Sequence, residues 1–453
     1  MNSPLPLADA FPVFTADDWR SAVARMRRRG EPLPDSPTLN LEAGALFARR
    51  AGARTIQGRS AGEPWRVVQR IDETDPAAAT ATVAEDVAGG ATGAEIAFAE
   101  SVHPIDRQLL IETASAVAAS LAVTIPDGFA LRIDTGGSAT VPDPFLDLAA
   151  ARRADIVFTF DPIAALAVHG NSPAQHTGIE AIARALDERG IPGAAVIADG
   201  RVWHAGGATE EQELAATLAT FVAHLRLLLA PERIDVALAA DADQFRGIAK
   251  FRAMRLLLAR VGEVSGLSSR QPRIHAETAW RMMSRRDPEM NILRATSAAF
   301  AAAVGGADSI AVLPFDAIAS GHDAHARRLA RNTQKILAEE AHLFRVADPA
   351  AGSGAIESLT TAFAEAAWKR FQAIEAAGGI VAAIAEGSLL QEVAEAREAR
   401  IARVAARDVT MVGVNAYLRD GATAAAIRTK RVPVGRTETL RFRRLSEPFE
   451  SDG

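Results

Sequence analysis

The chain contains no cysteine. That excludes disulfides, thiolate metal sites and a cysteine nucleophile together, and it suits a reducing cytosol. An excess of positive charge is also missing: 50 Lys and Arg stand against 56 Asp and Glu, a formal net charge of −6. A nucleic-acid surface, which needs a concentrated basic face, is therefore not expected. The apolar run "TASAVAASLAVTIP" from Thr113 to Pro126 is too short to span a bilayer. The opening "MNSPLPLADAFPVF" has neither the basic n-region nor the apolar h-region of a signal peptide. A cytoplasmic protein with no membrane contact is the expectation. "PAAGSGA" around Ser353 does not meet Gly-x-Ser-x-Gly, and neither "GGATGAE" nor "DTGGSAT" fits a phosphate loop. His322 and His325 lie three apart, but no third ligand stands at metal-binding spacing, so no metal site is expected.

What is present is a large apolar inventory. Of 453 residues, 49% are hydrophobic and 23% charged, enough to bury the core of one large barrel with extensions. Residues 1–44 read as a separate N-terminal arm. "TADDWRSAVARMRRRG" offers Thr15 as a cap, Asp17 and Asp18 in the first turn, arginines at the end and Gly30 as a stop. Trp19, Val23 and Met26 fall on one face at helical spacing. That face must be buried against the chain's own barrel or against a partner subunit, and both readings stay open here.

From Ala91 onward, short apolar runs alternate with longer Ala-rich amphipathic stretches. The runs are "GAEIAFAE" (93–100), "FALRIDTG" (129–136), "ADIVFTFDP" (154–162), "GAAVIADG" (193–200), "RIDVALAADAD" (233–243), "PRIHAET" (272–278), "ADSIAVLPFD" (307–316) and "LFRVADP" (343–349). Nearly continuous apolar runs mark strands covered on both faces, and eight of them alternating with helices predict a (β/α)₈ TIM barrel over 45–395. Residues 396–453 read as a barrel-closing segment and tail. Several runs finish in an acid or a histidine: Glu100, Asp134, Asp161, Asp199, Asp241, His275, Asp316 and Asp348. Barrel enzymes keep their chemistry at such positions, but Asp is equally the favoured cap of the helix that follows. Arg273, His275 and Glu277 alternate along one run and share a face.

"RMMSRRDPEMNILRATSAAFAAAVGGADSIAVLPFD" (281–316), "RRLARNTQKILAEEAHLFRVADPAAGSGAIESLT" (327–360) and "AEAAWKRFQAIEAAGG" resemble the acyl-CoA mutase family typified by methylmalonyl-CoA mutase. "GIAKFRAMRLLLARV" (247–261) and "HAGGATEEQEL" (204–214) extend the likeness upstream, and "GEPWRVVQR" (62–70) is its faint N-terminal echo. The resemblance implies a (β/α)₈ barrel enclosing a CoA thioester, followed by a flavodoxin-like cobalamin domain. In that family adenosylcobalamin generates the radical that drives carbon-skeleton rearrangement.

The chain departs from that pattern in several places. The only Asp-x-His is Asp323-Ala324-His325, inside the barrel, and only 74 residues follow Gly379. That is short for a doubly wound domain, so no flavodoxin-like cobalamin domain and no cofactor bound by this chain are expected. Aligned on the Gly-Ala-Thr of "GRVWHAGGAT", Val202 takes the place of the family's catalytic His, and Arg70 that of its Tyr. Valine neither donates a hydrogen bond nor titrates. His204, Arg273, His275 and Glu277 remain as lumen or substrate-side candidates. These departures resemble the small, non-catalytic subunit of heterodimeric mutases, which implies a large catalytic subunit as partner and adenosylcobalamin in that partner. The alternative is the catalytic barrel of a split acyl-CoA mutase that borrows a separate cobalamin-binding subunit.

Overall fold

The computed structural model describes residues 15, 17, 18, 21, 25, 56, 58–98, 101–103, 109–134, 143–170, 176–228, 230–267, 271–318, 323–419 and 439–450. Nine short strands form one all-parallel sheet: β1 (Arg66–Ile71), β2 (Gly93–Ala97), β3 (Ala130–Asp134), β4 (Asp155–Phe158), β5 (Gly193–Ala194), β6 (Val196–Asp199), β7 (Ile234–Ala240), β8 (Ile274–Thr278) and β9 (Ser309–Ala311). They follow the order β5-β4-β3-β2-β1-β9-β8-β7-β6. The two ends of that order, β5 and β6, are halves of one extended segment with Ala195 between them. The ladder therefore runs round a ring of eight barrel strands. β5 faces β4, β6 faces β7, and Ile197 N donates to Phe160 O across the seam.

Alternation along each strand sorts side chains into two environments. Ala94, Ile96, Leu131 and Ile133 point outward into one helix-facing core, and Val236, Leu238, Ile274 and Ile310 into another. Their alternate neighbours Glu95, Arg132, Asp235 and His275 point into the lumen, where Arg132 bonds both Glu95 and Asp235 and His275 Nε2 stands 3.6 Å from Glu95. Val157, Ala194, Ile197 and Ala237 form a separate small apolar cluster.

Helix boundaries follow local chemistry. Asp161 accepts from Ile163 N and Ala164 N to start Pro162–His169, and Gly170 ends it at φ 73°. Asp243, not the strand-end Asp241, caps Gln244–Ser265 by accepting from Arg246 N. The helix before β9 spans Met290–Val304, and Gly306 turns the chain at φ 91° behind it. Near the N-terminus, Thr15 Oγ1 accepts from Asp18 N at 3.2 Å while Asp18 Oδ2 accepts from Thr15 N at 2.9 Å, a reciprocal cap. Trp19, Val23 and Met26 lie outside the described residues, as do Glu100 and His322.

Two strand assignments change. "LFRVADP" is not a strand: Leu343–Arg345 is one 3₁₀ turn and Val346 is exposed. The missing barrel strand is β1, in the stretch "WRVVQRI". Arg66, Gln69 and Arg70 break its apolar run, which hid it among the motif residues. Every later strand accordingly moves up by one, so His275 lies on the seventh barrel strand and "ADSIAVLPFD" supplies the eighth.

At the C-terminal rim, residues 439–450 return to the barrel. Leu440 N donates to Ala167 O and Leu445 N to Arg281 O. Glu450 is held by Arg444 and Arg285.

Candidate functional site in the barrel lumen

The lumen is occupied by charged side chains stacked in three levels. At the N-terminal end Arg273 pairs with Asp155 and, at 3.2 Å, with Asp235. Asp235 also accepts from Arg132 Nη1 at 3.2 Å. Half-way up, Glu95 accepts from Arg132 Nε at 3.1 Å and from Arg201 Nη1 at 3.0 Å. His275 Nε2 stands 3.6 Å from the same carboxylate, and its Nδ1 is 2.8 Å from Ser309 Oγ. Towards the C-terminal end Arg201 holds Glu277 at 3.2 Å and Asp199 at 2.8 Å, while Arg70 holds Asp72 at 2.9 Å and Glu277 at 3.4 Å. His103 Nε2 lies 3.0 Å from Asp199.

Arg201 reaches this position because Asp199 caps the short helix Gly200–Gly206 by accepting from Arg201 N, which turns the side chain back over the strand end. The same turn sends Val202 outward into the apolar core, fully buried and away from the lumen. His204, two residues on, sits 3.2 Å from Asp241 Oδ2 without a well-aligned hydrogen bond from Nε2. Arg281 from the rim loop completes that cluster at 2.9 Å from Asp241.

Charge states follow from burial and neighbours. Burial pushes the Glu95 carboxyl up, but Arg201 and Arg132 outweigh it and hold the acid well below its usual range. Asp199 is likewise held down by Arg201 and His103 against the effect of burial. Burial, then Arg281, pushes His204 down to about 3. Burial and Arg132 push His275 well below its ordinary value. Both rings are neutral at pH 7. A general base works best with a pKa near the operating pH, so neither ring is tuned for proton transfer at neutrality.

The structure thus brings Arg70, His204 and Glu277 together around a hollow of about 10 Å³ that His103, Arg201 and Trp280 also line. That is room for one water. Arg273 and His275 are on the same lumen face but lower down, so the four candidates are spread along the bore. Two residues that matter most, Arg132 and Arg201, were not singled out from sequence. Arginines aligned with an inward strand position and with the first turn after a strand were the available signal. Among the described residues no group of three or more His, Asp or Glu could hold a metal ion. Nor does any described helix have the length and apolarity to cross a membrane.

The bore is closed. The hollow at the C-terminal end and the larger basin at the N-terminal end share no lining residue, because Glu95, Arg132, Arg201 and His275 lie buried between them. Comparison with known proteins supplies the ancestry of this sealed barrel: the family model described as Methylmalonyl-CoA mutase matches residues 187–450. The chain belongs to the methylmalonyl-CoA mutase family.

Within that family it is of the small-subunit type. The methylmalonyl-CoA mutase small subunit of Streptomyces virginiae is 35% identical over 453 residues, covering 91% of this chain and 72% of that one. The probable methylmalonyl-CoA mutase small subunit of Mycobacterium tuberculosis (strain ATCC 25618 / H37Rv) is 45% identical over 271 residues, 57% of this chain and 43% of its own length. The small subunit of Propionibacterium freudenreichii subsp. shermanii is 38% identical over 302 residues, 64% and 47% of the two chains. The chain thus spans less than half the length of several mutase relatives it matches. Among solved structures, a dihydropteroate synthase from Anaplasma phagocytophilum aligns at TM-score 0.27 and 14% identity over 61% of this chain and 100% of that one, too distant to bear on function.

Proposed function

We propose that this chain is a non-catalytic, supporting subunit of a heterodimeric adenosylcobalamin-dependent methylmalonyl-CoA mutase, with the interconversion of methylmalonyl-CoA and succinyl-CoA carried out on a large partner subunit. The observation that carries the reading is the plugged lumen. Arg132 and Arg201, each only a few per cent exposed, cross the bore to one buried carboxylate, Glu95. A thioester threaded through the barrel would have to displace both, and breaking buried pairs costs about 3–5 kcal/mol each.

The Asp-x-His of this chain does not fit a cobalt ligand either. Asp323 caps the helix Ala324–Lys335 by accepting from His325 N, and His325 is exposed on its first turn, outside the lumen. In this reading the cofactor belongs to the partner. A supporting barrel acts by mass action: a partner that binds only the folded state stabilises it.

The test is co-expression with the large mutase subunit of the same organism, followed by size-exclusion chromatography and an adenosylcobalamin-dependent assay of each chain alone and of both together. A 1:1 complex whose turnover is unchanged by His204→Ala and Glu277→Gln in this chain supports the reading. Turnover by this chain with only a separate cobalamin-binding protein overturns it in favour of a split mutase.

A further inference from the structure

Beyond the helix Ser388–Ala405 the chain folds into a loop, residues 406–419, that packs against the start of the helix Met290–Val304. Arg294 donates to Val412 O, and Gly413 lies directly against Asp287 and Met290. Asn415 ties the loop to itself and to the helix, with Nδ2 donating to Val404 O at 2.9 Å and Val409 O at 2.8 Å while Oδ1 accepts from Met411 N at 2.7 Å. Val404, Met411 and Val414 form a buried apolar floor beneath it. The surface is therefore built on firm support.

Its backbone is unusual. Five described residues other than glycine have a left-handed backbone, and three of them lie here: Asp287 at φ 50°, Arg407 at φ 64° and Tyr417 at φ 53°. That conformation is costly for any residue with a Cβ, and such strain gathers where a protein makes functional contacts. Tyr417 gives the fold nothing in return, because the chain's single tyrosine is 82% exposed. Leu293, Val412 and Leu418 are exposed beside it, so four of the twelve large hydrophobic side chains exposed among the described residues belong to this one surface. Around them Arg286, Arg403, Arg407 and Arg419 make no side-chain ion pair among the described residues, and they outnumber the neighbouring acids Asp287 and Asp408. Tyrosine and arginine are the residues most favoured at the centres of protein interfaces. In a chain of net charge −6 this is a local excess of the opposite sign.

We infer that this surface docks a folded protein that presents acidic side chains around an apolar patch, with Tyr417 and Leu418 as its anchors. The partner's identity rests on the subunit reading above, which makes it the large mutase subunit. A second copy of this chain does not fit, because a twofold contact would set the same unpaired arginines against each other.

Surface plasmon resonance of the purified large subunit over the immobilised full chain, at several sodium chloride concentrations, tests the inference. Tyr417→Gly removes the anchor and suits the left-handed backbone. It should weaken binding at least tenfold with no fall in melting temperature, an outcome that a merely structural tyrosine would not give. Arg403→Gln with Arg407→Gln should weaken binding severalfold and flatten its salt dependence. Equal binding by the parent and both variants overturns this surface and leaves the subunit reading standing. No binding by the parent chain overturns that reading and this assignment together. A dimer of the isolated chain that Tyr417→Gly dissolves also overturns the inference, since a second copy would then be the occupant.

Discussion

Glu95 shows how far a single residue can organise a barrel. Its two oxygens gather Arg201, Arg132 and the edge of His275 in a site with no access to solvent. Glu95→Gln keeps the shape but leaves two buried guanidiniums undercompensated, and a loss of about 3–5 kcal/mol is expected, read as a lower urea midpoint at unchanged m-value. The histidines set the pH response. His204 is held at about 3 and His275 well below its usual value, chiefly by burial, whereas in the unfolded chain both titrate near their ordinary value. Between those limits the unfolded state binds more protons, so stability is full above the unfolded pKa and falls as pH drops through it. The depressed acids Glu95 and Asp199 add loss of the same sign at still lower pH. Stability should decline from pH 7 to pH 5, by up to about 2 kcal/mol from His204 alone, read as a falling melting temperature, and His204→Gln should flatten part of that slope. A melting curve independent of pH over this window would contradict the assignment of both rings as neutral.

Much of the element pattern was legible in the sequence, because strands backed by helices must present apolar side chains on their outer face. The runs at 93–100, 129–136, 193–200 and 272–278 all contain barrel strands for this reason. β1 escaped because a lumen filled with charge puts arginines where a packed barrel would put valines, and the apolar signal of "WRVVQRI" is diluted by Arg66, Gln69 and Arg70. "LFRVADP" misled in the opposite sense, since Leu343 and Phe344 pack against the main core from a 3₁₀ turn rather than from a sheet. The site was less legible than the fold. Glu95 and Arg201 meet across 106 positions of chain, and no local spacing announces such a pair. Rim acids divided as physical chemistry allows: Asp161 and Asp199 cap helices, while Asp241 leaves that task to Asp243 and pairs with His204 and Arg281. Two element-scale tests follow. Gly193 sits at φ 152° beside Ile156 O at the β4–β5 seam, so Gly193→Ala should force the ladder apart and lower the melting temperature sharply. Asp243→Ala should cost about 0.5–2 kcal/mol by removing the cap of the 22-residue helix Gln244–Ser265. Thermal melts with the far-UV spectrum as control distinguish a local loss from a failure to fold.

For the whole molecule, the family match and the sealed bore pull in different directions, and the supporting-subunit reading reconciles them. On the proposed reading, a barrel freed from threading a substrate has no reason to keep a channel, but every reason to keep an outer surface for a partner. Mixing with the large subunit should raise this chain's melting temperature in a concentration-dependent way, while coenzyme A alone should leave it unchanged. The lumen has a further consequence for how the molecule meets its ionic surroundings. Exposed pairs such as Arg260–Glu263 feel the counter-ion atmosphere and weaken in concentrated salt. The arginines and acids gathered around Glu95 on the barrel axis have no such atmosphere, because mobile ions do not reach them. Raising sodium chloride to molar strength should therefore strip the surface of its pairs and leave the axis intact, so that what brine cannot loosen is the part of the protein built from charge.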